Sequence, residues 1–231
     1  MGVVCGRYTL TADPAMLVDE FDATFEAQVP VVPRYNIAPT QEILIVTEDQ
    51  DGRHIGSASW GLVPSWAKDR SAAARMINAR SETAVTKPSF RSAVKRRRCL
   101  VPATGYYEWY RPERGAKQPF WIHAEDGSVL AMAGLNEHWT DPTSGEELRS
   151  VALLTQDATP DLAKIHDRMP VFIEHAAYGQ WLNPNQLDGA LALELALAPL
   201  LDATPIGPAV NNARNEGPQL LQPIEPEQLL W

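Results

Sequence analysis

Four residues have side chains suited to chemistry and sit in short polar or aromatic surroundings: Cys5, Asn78, Glu108 and His166. Cys5 lies in CGRYTL beside Gly6 and Arg7. A flexible glycine and a nearby cation would leave its thiol accessible and favour the nucleophilic thiolate. The other use of a lone cysteine, and the commoner one, is as a small buried hydrophobe. Glu108 sits in GYYEWY, where strand alternation would put Tyr106, Glu108 and Tyr110 on one face. A carboxylate crowded by aromatics loses hydration, and its pKa rises toward the range of an acid–base catalyst. On a solvent-facing side the same residue would be ordinary surface. Asn78, in MINARSE, is either a turn or cap residue or an amide that positions a reacting group, with Arg80 as a phosphate clamp. His166, in IHDRMP, can shuttle protons near neutral pH, and Arg168 beside it can bind an anion. The alternative is a turn histidine paired with Asp167.

These residues need a scaffold, and the chain predicts one rich in strands. Gly6 to Leu10 reads as a short strand. Asp13 then caps a helix through Phe21, with Pro14 at its first position. RYNIAPT reads as an extended loop. Strands are predicted over Ile43–Thr47, Ser57–Gly61, CLVPA (99–103), YYEWY (106–110), PFWIH (119–123), VLAMAGL (129–135), SVALLT (150–155) and MPVFI (169–173). Short helices are expected from Glu82, over Lys87 to Val94, and over His175 to Leu182. Leu187 to Leu201 has helical apolar spacing, and the Pro-rich end (218–231) is expected to pack over the surface. Without repeats or a linker, and with strand–helix alternation too poor for a doubly wound sheet, the expectation is one compact α+β domain. Its core would be a barrel-like antiparallel or mixed sheet with peripheral helices.

Composition narrows the function. Two cysteines, Cys5 and Cys99, are too few for a disulfide framework or a structural zinc site, and the five histidines show no metal-binding spacing. No metal and no cofactor are therefore expected. Cys99 opens an apolar run and is assigned to the core. No apolar stretch is long enough to span a membrane, and MGVVCGRYTL lacks the features of a secretory signal, so a cytoplasmic protein is expected. The net charge of −9 argues against a generally nucleic-acid-binding surface. From Arg75 to Arg98, however, eight bases stand against Glu82 alone, which is either a solvated surface or a local phosphate-binding stripe.

Together the segments CGRYTL, RYNIAPTQ, WGLVPSW, INARSET, RCLVPATGYYEW, KQPFWI, IHDRMPV and VNNARNEGPQLLQPI resemble the SRAP family, the SOS-response-associated domain, in order and over nearly the whole chain. The resemblance implies a DNA groove, and capture of the ring-opened aldehyde of an abasic site in single-stranded DNA. It implies that the amine and thiol of an N-terminal cysteine close a thiazolidine around the sugar carbon. It implies that Cys5 is the nucleophile and that Asn78 positions it. Glu108 would then assist ring opening and proton transfer, and His166 the imine step. Arg7, Arg80 and Arg168 are implied as phosphate contacts, and Asn36, Pro39 and Trp66 as residues that bend or stack the strand. The expected partner is single-stranded DNA bearing an abasic site, bound by a monomer.

One feature departs from the family pattern, in which the cysteine directly follows the initiator Met. Here Met1-Gly2-Val3-Val4 precede Cys5, whose nitrogen is then an amide that cannot form an imine. The expectation is that 1–4 are an extra or mis-assigned prefix, with Val4 at the initiator position. Trimming, by the protein itself or otherwise, and loss of the crosslink are the alternatives. Two other functions compete with abasic-site capture and its associated lyase activity. One is a thiol peptidase using Cys5 and His166; the other is a non-catalytic single-strand-binding module.

Overall fold

The computed structural model describes residues 5–27 and 29–225. The prefix 1–4 and the last part of the Pro-rich tail, 226–231, lie outside the described residues. Five strands close into a barrel: Glu42–Asp49, Gly52–Trp60, Arg98–Ala103, Leu130–Thr140 and Glu147–Asp157. Four of the five pairings are antiparallel. The fifth, Gly52–Trp60 against Glu147–Asp157, is parallel with Ser59 opposite Ser150, which makes the barrel mixed. Ile45, Ile55, Leu100, Met132, Val151 and Leu153 are wholly buried in it. Burial of each such side chain contributes about 1.5–3 kcal/mol.

A second, antiparallel sheet lies beside the barrel in the order Leu201–Pro205, Gln118–Ala124, Gly105–Tyr110, Tyr8–Leu10, Arg34–Ile37. It brings the N-terminal strand against the strand that bears Glu108. Gly105 is required at the start of that strand, because a Cβ there would come within 2.8 Å of the Ile122 carbonyl and collide with the Trp121 indole. The helices are short and peripheral. The longest α-helix among the described residues, Pro14–Phe21, begins as predicted: the Asp13 side chain accepts the Ala15 N–H at 2.8 Å and Pro14 opens the first turn. The fold is α+β with a barrel core. Among the described residues no helix is long and apolar enough to cross a membrane.

Three expectations are corrected. RYNIAPT is not a loop throughout, since Arg34–Ile37 is a strand paired with Tyr8–Leu10. Leu187 to Leu201 is not one helix. Asp188 caps a single turn, Gly189–Ala192, and Ala196 then swings to φ −59°, ψ 127° so that Ala196–Leu197 pairs with Phe172–Ile173. Pro199 disfavours helical backbone at Ala198, and Leu201 already belongs to the next strand. The basic stripe is also shorter than its charge count. Arg98 is 3% exposed and donates to the carbonyls of Val94, Trp181, Asn183 and Leu187, while Arg97 pairs with Glu137 at 2.6 Å. Both are structural cations.

Candidate active site

Pairing of Tyr8 with Tyr106 brings the start of the chain to the Glu108 strand. The backbone N–H of Cys5 donates to Oε1 of Glu108 at 2.5 Å. Cys5 has φ +40°, a left-handed backbone that non-glycine residues adopt only at a cost, and here its N–H is turned inward onto the carboxyl. Glu108 is 2% exposed. Burial pushes its pKa up to about 8, against the Cys5 N–H and Arg111, which favour the carboxylate, while nearby Asp167 adds to the rise. The carboxyl group is thus poised to exchange a proton near neutral pH.

The accessible thiolate expected at Cys5 is not what the structure contains. Cys5 is wholly buried, and burial first, then the Glu108 charge, push its thiol pKa well above the ordinary value. Arg7, the cation expected to favour the thiolate, donates instead to Asn36 Oδ1 at 2.8 Å and the Val210 carbonyl at 3.0 Å. Cys99 is a core residue, its thiol pushed by burial to about 12.

His166 follows the short turn Leu162–Lys164, with its backbone N–H on the Leu162 carbonyl. Its Nδ1 accepts the Arg168 N–H at 3.1 Å, which places the proton of the neutral ring on Nε2. Asp167 Oδ1, 3.0 Å from the same nitrogen, becomes a partner when the ring is protonated. Burial lowers the His166 pKa, and Asp167 works against that. Glu108 and His166 line one cleft of about 550 Å³, together with Trp109, Arg111, Lys117 and Asn211. The sequence gives no hint of this meeting, because the two residues lie on separate elements.

Asn78 and Arg80 belong to a three-residue strand that pairs in parallel with Glu147–Asp157, Asn78 opposite Leu153 and Arg80 opposite Thr155. The Ile77 carbonyl receives both the Trp60 indole N–H and the Leu153 N–H, so the backbone entering Asn78 is fixed from two sides. Arg80 is exposed. Arg168 pairs with the other side of the same barrel strand, opposite Asp157. It is already committed: its guanidinium makes a two-pronged bond to Glu82 at 2.6 and 3.0 Å and a third to Asp157 at 2.6 Å.

The residues implied as strand contacts divide in two. Asn36 is wholly buried, and its amide donates to the carbonyls of Val210, Asn212 and Asn215. Pro39 is partly exposed in a turn tied to the barrel by the Thr40 N–H on the Trp60 carbonyl. Trp66, in the loop beyond Trp60, is 66% exposed, an unusual place for a large aromatic. Among the described residues no group of three His, Cys, Asp or Glu side chains stands together as a metal site.

A buried cysteine thus rests on a poised glutamate, and that glutamate shares its cleft with a histidine. Residues 4–213 match the family of SOS response associated peptidases, SRAP. The chain belongs to the SRAP family. It is 35% identical over 224 residues to the abasic site processing protein YoqW of Bacillus subtilis, covering 95% of this chain and 99% of the relative. Identity to the abasic site processing protein YedK of Escherichia coli is 30% over 230 residues, 96% of this chain and all of that one. The abasic site processing protein HMCES of Rattus norvegicus is 32% identical over 84% of this chain and 65% of its own length. A crystal structure of a Bacteroides thetaiotaomicron protein superimposes with a TM-score of 0.84 at 25% identity, covering 96% of this chain and 100% of that one.

Within this SRAP domain the motifs act in pairs that the linear sequence hides. CGRYTL and GYYEWY meet as the Cys5–Glu108 bond. RYNIAPTQ and VNNARN meet through Asn36, which holds the segment supplying Asn211 to the cleft wall. Sequence reasoning missed Arg111 and Lys117, on the connection between the strands Gly105–Tyr110 and Gln118–Ala124. The available signal was a basic loop, RPERGAK, between two strands of which the first carries Glu108.

Proposed function

We propose that this SRAP chain processes abasic sites in single-stranded DNA by forming a covalent adduct through Cys5. The observation that carries the reading is the buried Cys5 N to Glu108 Oε1 contact of 2.5 Å, made to a glutamate that lines one cleft with His166. The chemistry requires a free α-amine at Cys5, so residues 1–4 must be absent from the active form, either through initiation at Val4 or through trimming. The α-amine of a terminal residue titrates near about 7.7–8.0, close to the Glu108 carboxyl beside it.

Protonated Glu108 opens the sugar hemiacetal to its aldehyde. The amine adds to the aldehyde carbon, and water leaves to give an imine. The Cys5 sulfur then adds to the same carbon while its proton passes to the imine nitrogen. Aldehyde and aminothiol thus become thiazolidine and water. Because amine and thiol share one residue, the second addition is intramolecular, which greatly raises its effective concentration. In this scheme Glu108 relays the thiol proton, so the thiol need not ionise beforehand. His166 Nε2–H serves the imine step. Left open, the imine activates the sugar for strand elimination, and this accounts for an associated lyase activity. Asn78 positions the reacting cysteine. Arg80, Pro39 and Trp66 contact the strand, whereas Arg7, Asn36 and Arg168 act by holding loops in place. A monomer in the cytoplasm suffices. Peptidase action is the second reading; the wholly buried thiol favours confining it to the chain's own N-terminus.

The test mixes a single-stranded oligonucleotide carrying one abasic site with two forms of the protein, one beginning at Met1 and one at Cys5, and resolves them on a denaturing gel. A heat-stable shifted band is expected with the form beginning at Cys5. Its absence, with folding and the free Cys5 terminus verified, overturns the reading. Cys5→Ala should remove the band yet keep salt-sensitive binding.

A further inference from the structure

The cleft holding Glu108 and His166 continues into a second, more open one of about 270 Å³, and Trp109, Arg111 and His166 belong to both. Lys117 lines the first cleft and Lys164 the second. Arg111 and Lys117 thus share the first cleft with the buried acid, while Lys164 is paired with Asp161 at 3.3 Å and Asp167 also lines the second cleft; Trp109, common to both clefts, is fixed by its indole N–H on Asn211 Oδ1 at 2.6 Å.

These cations differ from the ones the sequence singled out. Arg7 and Arg168 are spent on internal partners. Arg111 and Lys117 are exposed, and among the described residues no carboxylate stands within ion-pair distance of either. In a chain of net charge −9, acids are plentiful enough to neutralise surface cations. Two cations that line one cleft without an ion-pair partner, Arg111 acting on the buried Glu108 only from beyond that distance, mark a place for an external anion. A planar guanidinium and an ammonium a few residues apart on a hairpin suit successive phosphates rather than a single small anion.

We propose that the hairpin loop 111–117 is a second DNA-backbone contact. Arg111 and Lys117 hold the phosphates flanking the sugar seated at Glu108, and the strand leaves past Trp109 and His166 toward Lys164. The ligand class is the phosphodiester backbone of single-stranded DNA, and the inference rests on the abasic-site reading above. Trp109, lining both clefts, offers a ring face on which a neighbouring base stacks without regard to sequence.

The test measures affinity by fluorescence anisotropy for a single-stranded oligonucleotide carrying a stable tetrahydrofuran abasic analogue, between about 50 and 200 mM salt. Removing one cation from the phosphates of a single strand reduces the slope of log K against log salt by about 0.7. The double variant Arg111→Ala/Lys117→Ala should lose about 1.4 from the slope and on the order of tenfold in affinity at the lower salt. Arg114→Ala, at the exposed tip but lining neither cleft, removes the same kind of charge and should leave the slope unchanged. An unchanged slope in the double variant overturns the inference, as does an equal loss in Arg114→Ala, which would mean diffuse attraction. Crosslinking by the form beginning at Cys5 is read separately. If the crosslink forms while the double variant keeps its slope, only the hairpin contact falls; if the slope drops but no crosslink forms, the functional reading falls.

Discussion

Glu108 concentrates the cost and the use of the site in one side chain. Its carboxyl keeps a proton up to about pH 8 in the folded protein, whereas in the unfolded chain it releases it near 4.5. Between those values the folded state binds more protons, so the group makes stability fall as pH rises, by roughly 4–5 kcal/mol across the window. His166 acts in the opposite sense below its ordinary value of 6.5, because burial lowers its pKa and the folded state sheds its proton first. Comparison with Glu108→Gln isolates the carboxyl. Urea midpoints should fall from pH 5.5 to 8.5 more steeply in the wild type than in the variant, and Glu108→Gln should be the more stable protein at the higher pH. Parallel pH dependences would mean that Glu108 ionises normally. The cost of keeping such an acid buried makes sense if its proton is used in sugar opening. The types of Cys5, Glu108 and His166 were legible in the sequence because each stands out in its segment. The burial of Cys5 was not, since it depends on a backbone turned inward onto a residue 103 positions away.

Asn36 ties elements rather than reactants. One amide group supplies bonds to three carbonyls of the segment 210–215, and its oxygen receives Arg7. That segment forms the cleft wall at Asn211 and continues to Ile224, whose N–H bonds the Pro205 carbonyl. Asn36→Ala would leave the Asn215 carbonyl without its side-chain donor, while the Val210 and Asn212 carbonyls keep the Arg7 guanidinium and the Asn215 N–H, at a cost of about 1–3 kcal/mol. Hydrogen exchange should quicken across 206–224 while the barrel strands stay protected, because no barrel hydrogen bond runs through Asn36. Uniform acceleration would make it a global core residue instead. Local chemistry announced the capped helix Pro14–Phe21 and the principal strands, whose apolar and β-branched runs match their pairing. It failed at Leu187 to Leu201, where apolar spacing favours helix but sheet partners on both sides offer the backbone better use of its hydrogen bonds.

At the scale of the whole molecule, closure of the barrel depends on a parallel pairing of Ser59 with Ser150, and no periodicity in the chain reports a contact so distant. Charge is likewise a property of the assembled surface. Twenty bases oppose 29 acids, and two of the bases in the Arg75–Arg98 run are turned to internal carbonyl and carboxylate partners. On the proposed reading a DNA strand would therefore meet a few exposed cations mounted on an acidic body. Near 0.1 M salt the screening length is about 10 Å, so DNA senses the cations it touches and little of the acid beyond them. Near 0.01 M the length is about 30 Å, and the whole negative body then repels the phosphates. Counterion release from the local contacts favours tighter binding at low salt, while this repulsion grows in the same direction and opposes it. A plot of log K against log salt should accordingly be straight at and above about 0.1 M and flatten toward 0.01 M. A line that stays straight to the lowest salt would place the acidic residues too far from the strand to be felt. The DNA path would then be confined to the face bearing Glu108, with the rest of the surface electrostatically irrelevant to binding.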